Sequence, residues 1–165
     1  MRSRPAWILL LMLIAGGVLT GCGPGQSGTI GLSVDDAGRT VVVLQDCKGD
    51  IDKLKLVQLG RLKTDPETVL VEWSNPKSPK GIVQFPLVEG AGKWKPQSPV
   101  PELDVTRHYQ LQGKKDNGWS NAKDITFTVT ELKDLEPGQV LRWKVGLGEA
   151  NEIVTMDEYS PKDCG

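Results

Sequence analysis

Three cysteines, a scatter of aspartates before residue 53, a single histidine and the four tryptophans after residue 22 are the residues of this chain whose types and spacing could carry chemistry. Asp35-Asp36 and Asp46, Asp50 and Asp52 offer hard oxygen ligands. A calcium loop needs such ligands at tight, regular spacing around a turn glycine, and Asp50-x-Asp52 supplies only two carboxylates. These residues therefore read as solvated turn acids, and no metal site is expected. His108 would be a general base only if a nucleophile and an orienting acid were brought to it in space. Nothing beside it in sequence does so, and strand alternation points it away from Tyr109, toward solvent. No catalytic residue and no cofactor are expected. Cys47 and Cys164 stand far apart with no CxxC, which is a poor basis for a redox pair or a metal cluster.

Cys22 has a different setting. Before it come Arg2 and Arg4, an apolar run from Trp7 to Ile14, and the small residues Ala15, Gly16 and Gly17. This is the layout of a signal peptide covering residues 1–21. The apolar stretch, about 13 residues even when extended to Leu19, is short of the roughly 20 that a transmembrane helix needs. Leu19-Thr20-Gly21-Cys22 resembles the lipobox of bacterial lipoproteins, and the chain's general character is similar to the small uncharacterised lipoproteins of Gram-positive bacteria. The resemblance implies a diacylglyceryl group on the Cys22 thiol, cleavage that leaves Cys22 first, and a location on the extracytoplasmic face of the cell membrane. Two or more acyl chains hold a protein stably on a membrane where one does not. Gly23 to Gly28 then reads as a flexible tether, reaching roughly 20 Å at about 3.3 Å per residue. With Cys22 taken by lipid, Cys47 and Cys164 remain as a pair in an oxidising compartment, and a disulfide is expected. It would close a loop of about 117 residues and stabilise the fold by roughly 4 to 5 kcal/mol on the chain-entropy model.

Removing residues 1–21 takes away two arginines and no acids, leaving 18 basic and 21 acidic side chains in the mature chain. A net charge near −3 makes nucleic acid an unnatural partner and gives little overall attraction to an anionic membrane, so the lipid is expected to be the main attachment.

From residue 29 onward, β-formers recur between turn signals and sustained helical periodicity is almost absent. An all-β domain over 29–165 is expected, with strands at Thr29 to Val34, Thr40 to Cys47, Lys53 to Leu62, Thr68 to Trp73 and Ile82 to Leu87. Asn75-Pro76 and Ser78-Pro79 predict a hairpin between the last two. Leu103 stands six residues before Tyr109, followed by the loop Lys114 to Ser120 and the alternating strand Ile125 to Val129. This resembles the end of a fibronectin type III-like sandwich of the immunoglobulin class, except that the proline usual in that corner is Val105 here. The resemblance implies a tyrosine corner, with the Tyr109 ring in the core and its hydroxyl bonded back to the backbone. Beyond about residue 130 a short C-terminal extension is expected, with a helical turn at Glu131 to Leu135 and one more strand at Val140 to Val145.

Trp73 and Trp94 are expected in the core. Trp119 follows the hairpin signal Asp116-Asn117-Gly118, and loops at the end of a sandwich are where binding residues sit. Lys114, Lys115, Asn117 and Trp119 are therefore the candidate binding loop. With an anchor, a binding-type fold and no assembled chemistry, the sequence points to a non-enzymatic binding or interaction module, its partner an envelope protein or extracellular ligand. Two alternatives stand beside it. One is an extracytoplasmic enzyme or metal-dependent protein built on Asp50, Asp52 and His108, and the other is a structural accessory subunit of an envelope complex.

Overall fold

The computed structural model describes residues 25–62, 64–118, 120–144 and 150–159. The expected signal peptide, Cys22, Trp119 and Cys164 lie outside the described residues. Among the described residues, ten strands and one short helix run in the order β1 (Gly25–Val34), β2 (Thr40–Asp46), β3 (Lys53–Gln58), β4 (Thr68–Ser74), β5 (Gly81–Pro86), β6 (His108–Lys114), β7 (Ser120–Lys123), β8 (Ile125–Thr128), α1 (Val129–Lys133), β9 (Gln139–Trp143) and β10 (Asn151–Thr155). The domain is all-β, as the alternation predicts.

The strands form one curled, mixed sheet. One wall runs β10-β9-β1-β2-β5, and the other runs β4-β3-β6 with β7 and β8 continuing beside β6. β1 joins the walls, because its first residues pair in parallel with β7 while its later ones pair with β9. Between the walls lies the main core, which includes Ile30, Leu44, Leu54, Trp73, Phe85 and Leu111. Trp73 and Trp94 are both buried, as expected, and the Trp94 ring stacks on Phe85 at 5.7 Å between centroids. Such a pair contributes roughly 0.5 to 1.5 kcal/mol beyond its buried area.

Val41-Val42-Val43-Leu44 is continuously apolar because β2 is covered on both faces. Val42 and Leu44 face the main core, while Val43 packs in a second cluster with Val140 and Tyr159. β9 and β10 of the C-terminal extension therefore widen the wall beside β1, and the tail after β10 covers the outer face of β1 and β2 with Tyr159. Tyr159 is fully buried there, its hydroxyl 3.1 Å from the Thr29 carbonyl and 2.9 Å from that of Val43. A β-carbon on Gly31 would lie 2.5 Å from Val140 Cγ1 and 2.8 Å from Tyr159 Cε2, so only glycine lets the tail close this tightly.

The Leu103–Tyr109 spacing also has its expected geometry. Tyr109 is buried, its hydroxyl accepts the Asp104 N–H at 2.7 Å, and Leu103 packs against the core. The hydroxyl satisfies the chain as it turns into β6, where no ladder partner is available to Asp104.

Three expectations change. The hairpin predicted across Asn75 to Pro79 does not form: β4 pairs with β3, and β5 crosses to the opposite wall to pair with β2. The Asn75 N–H instead donates to the Asp52 carbonyl, drawing the connection over the 47–52 turn. Proline and asparagine mark where a strand stops but say nothing about the next strand's partner. The supposed tether is shorter than residues 22–28, since β1 begins at Gly25 and Gly28 already pairs with Asp46. Finally, the predicted strand from Ile125 to Val129 is preceded by β7, and the tail adds β10 beside β9.

Candidate functional site

The predicted binding loop is a tight β6–β7 hairpin. The Lys115 N–H donates to the Ser120 carbonyl, and Gly118 takes the positive φ of 74° that the turn requires. Lys114 and Asn117 are exposed, Lys115 is half-buried, and Trp119 lies outside the described residues.

The aspartates set this loop's position. Asp50 accepts from the Ser120 hydroxyl at 2.8 Å and lies 4.0 Å from the Lys115 ammonium. Asp52 accepts the Asp116 N–H at 2.7 Å, and Asp116 pairs with Lys53. Asp46 departs from the expectation of a solvated acid. It is fully buried, and its carboxylate accepts the backbone N–H groups of Lys48, Gly49, Asp50 and Ile51 at 2.7 to 3.2 Å. Four turn amides converge where a cation would otherwise sit, so this carboxylate shapes a turn. Asp35 does similar work at the other end of the molecule. The Arg39 backbone N–H and then its guanidinium hold the Asp35 carboxyl below its usual range. No group of three or more metal-ligating side chains occurs among the described residues.

A different feature stands out as a site. An open, polar groove of about 1000 Å³ runs where β6, β7 and β8 meet β1, α1, β9 and β10. Asn121, Lys123, Gln110 and Thr126 alternate outward from the β6–β8 wall, Gln26 borders them from β1, and Trp143 and Asn151 close the far side. The Lys123 ammonium lies 4.4 Å from the centre of the Trp143 ring, a cation–π contact that holds both side chains in place. Part of the lining is committed to structure. Glu131 completes a capping box with Thr128 at the start of α1, and its other oxygen accepts from Asn151 at 3.1 Å. The side-chain amides of Gln26 and Asn121 make no hydrogen bond among the described residues and face the groove.

Asp124 sits at the break between β7 and β8, where it accepts the Gly113 N–H at 3.3 Å. Burial raises its carboxyl to about 6, only partly opposed by that hydrogen bond and by Lys123. Sequence reasoning passed over Asp124, although a lone acid interrupting an alternating β run is a signal for a bulge. His108 is exposed as expected and lines the same groove, whereas Asp50 and Asp52 sit at the other end of β6. The dispersed set Asp50, Asp52 and His108 is therefore not brought together.

The Asp124 shift has a sign that can be measured. Its folded-state value lies above the unfolded value of 3.8, so the folded protein holds a proton that the unfolded chain has released between those values. Stability falls as pH rises from about 4 to 6 and the penalty stays above that, by of order 1 kcal/mol once solvent screening is allowed for. Urea titrations of wild type and Asp124→Asn across this range should differ in slope, the variant losing this component. Parallel curves would show that Asp124 is as accessible to water folded as unfolded.

Set against protein-family models, curated proteins and solved structures, the chain matches none of them.

Proposed function

We propose that this chain is a non-enzymatic binding module with a fibronectin type III-like sandwich, held by lipid at Cys22 on the extracytoplasmic face of a membrane. In this reading the groove beside Trp143 receives a neutral, hydroxyl-rich ligand of the cell envelope. The observation that carries it is the groove's lining: uncommitted amides from Gln26 and Asn121, a partly buried carboxylate at Asp124, and a ring fixed by Lys123. An amide both donates and accepts, which matches a hydroxyl in either sense, and an aromatic ring covers the apolar face of a sugar-like ligand. The assignment of the sandwich to the fibronectin type III class is supported by the Leu103–Tyr109 corner and by the β1-β2-β5 and β4-β3-β6 walls.

The same reading pairs Cys47 with Cys164. Cys47 is not a free thiol, and its N–H donates to the Ser27 carbonyl at the end of β2. Tyr159 lies against Val43 on the same strand, so five residues at about 3.3 Å each give Cys164 the reach to meet Cys47. Alkylation of the unreduced protein should leave both residues unlabelled.

Binding of the mature chain to an array of envelope saccharides tests the groove. Wild type should retain a defined subset that Gln26→Ala/Asn121→Ala loses by tenfold or more, while Lys133→Ala does not. Equal retention by both variants and wild type would remove the groove from the function. One observation favours a second reading, an enzyme with Asp124 as its acid–base group: a carboxyl near 6 in a groove shared with His108 suits proton transfer near neutral pH. Ligand released chemically altered by wild type but unaltered by Asp124→Asn would favour it.

A further inference from the structure

The topology gives the sandwich two chemically different ends. β1 starts at Gly25 and runs roughly 30 Å to Val34, taking about 3.3 Å per residue. The pairings Gly28 with Asp46, Asp46 with Gly81, Lys53 with both Ser74 and Lys114, and Gly25 with Ser120 collect three connections at the Gly25 end. These are residues 47–53, 75–80 and 114–120. They carry six lysines against three aspartates, a local charge of +3 in a mature chain whose net charge is −3, so the remainder carries −6. The three aspartates are spent locally: Asp50 and Asp52 brace the hairpin, and Asp116 pairs with Lys53. Lys48, Lys77, Lys80 and Lys114 are exposed and form no ion pair among the described residues. The opposite end presents Asp35, Asp36, Glu89, Glu102 and Glu136, with Arg39 paired to Asp35 and Glu89 and with Lys133 on α1.

We propose that the Gly25 end, with Lys48, Lys77, Lys80 and Lys114 at its surface, docks on the anionic phospholipid headgroups of the membrane that carries the anchor. The inference rests on lipidation of Cys22. Three peptide steps separate Cys22 from Gly25, at most about 11 Å of chain. A surface so close to lipid lies within about one Debye length at physiological salt, where basic residues are attracted to anionic headgroups. The net negative charge of the whole domain hides this polarity. Folding segregates the charges, and the acidic end is held farthest from the membrane. The loop Lys114 to Ser120 becomes a membrane contact, so the groove has its Gln26–Asn121 end next to the membrane surface and its His108–Thr126 end away from it.

The test uses the mature acylated chain reconstituted in vesicles of phosphatidylcholine alone or with one third phosphatidylglycerol. An amine-reactive reagent labels exposed lysines, and peptide mass spectrometry reads each position. Lys48, Lys77, Lys80 and Lys114 should react about fivefold more slowly on the anionic vesicles, matching the attraction expected per basic residue. Lys133, on α1 at the other end, should react equally on both, and molar salt should abolish the difference. Uniform labelling of an acylated chain on anionic vesicles would overturn the docking and leave the anchor standing. Intact mass from the same samples reads the anchor separately: a chain lacking acyl mass on Cys22 and recovered in the supernatant would remove both.

Discussion

Replacing Asp46 by alanine should lower the stability of the fold by about 3 kcal/mol and the melting temperature by roughly 10 °C, one of the two largest effects expected here. The Asp46 side chain is fully buried and takes four backbone N–H groups from Lys48 to Ile51. Truncation leaves those donors facing a cavity, and each buried donor without a partner costs about 1 to 3 kcal/mol, less where water can enter. Ile51 is fully buried, so its amide has no access to water. Asp46→Asn keeps the volume and one acceptor oxygen but turns an NH₂ toward the amides, and an intermediate loss of about 2 kcal/mol is expected. Urea unfolding followed by tryptophan fluorescence measures both. A loss below about 0.5 kcal/mol for Asp46→Ala would mean that the turn closes without its carboxylate.

The second large effect concerns the tail. Tyr159→Ala should cost about 3 to 4 kcal/mol, because it empties a fully enclosed aromatic site between β1, β2 and β9. Tyr159→Phe should cost only about 1 kcal/mol, for the hydroxyl placed between the Thr29 and Val43 carbonyls. The distribution of the loss matters as much as its size. Hydrogen exchange in Tyr159→Ala should rise first in Gln139–Trp143 and Asn151–Thr155, while β3 and β4 keep their protection. Tyr159 packs in a separate cluster with Val43 and Val140, while Leu132, Leu135 and Leu141 of the extension belong to the main core. Exchange rising equally in β3 and β4 would show that the extension and the rest of the sheet are one cooperative unit. With a Cys47–Cys164 bridge present, reduction should deepen the effect of Tyr159→Ala.

The two variants probe different parts of β2, Asp46 its last residue and Tyr159 its middle at Val43. Asp46 organises the lysine-bearing end beside Gly25, and Tyr159 covers the outer face of β2 at Val43. Loss of Asp46 should therefore also weaken the difference in lysine labelling between vesicle types, since Lys48 sits on the turn that it shapes. Loss of Tyr159 should leave that labelling unchanged.

Strand positions were legible wherever the side-chain period acted alone. Val83, Phe85 and Leu87 alternate with exposed Ile82 and Gln84 as β5 requires, and Trp73, Trp94 and Tyr109 are buried as expected. The Asp116-Asn117-Gly118 turn was legible too, because a positive φ at Gly118 is a local demand. Gly25 to Gly28 misled, since a glycine-rich stretch has no side-chain pattern to mark it as a strand. Its place in the sheet comes from the carbonyls and amides of β2 and β7.

What the sequence determined by itself is therefore local: the all-β class, the corner at Tyr109, the turn residues, and the placing of Cys22 after Leu19-Thr20-Gly21 on which the anchor proposal rests. Tertiary structure alone decided that β5 leaves β4 for β2, that Asp46 gathers four amides, that Gln26, Asn121, Asp124 and Trp143 share a groove, and that a net acidic chain has a basic end. The physical reason is the same in each case. Side-chain alternation and turn preferences act over a few residues, whereas strand pairing, convergence on one carboxylate and segregation of charge depend on segments far apart in the chain that meet only once the sheet has curled.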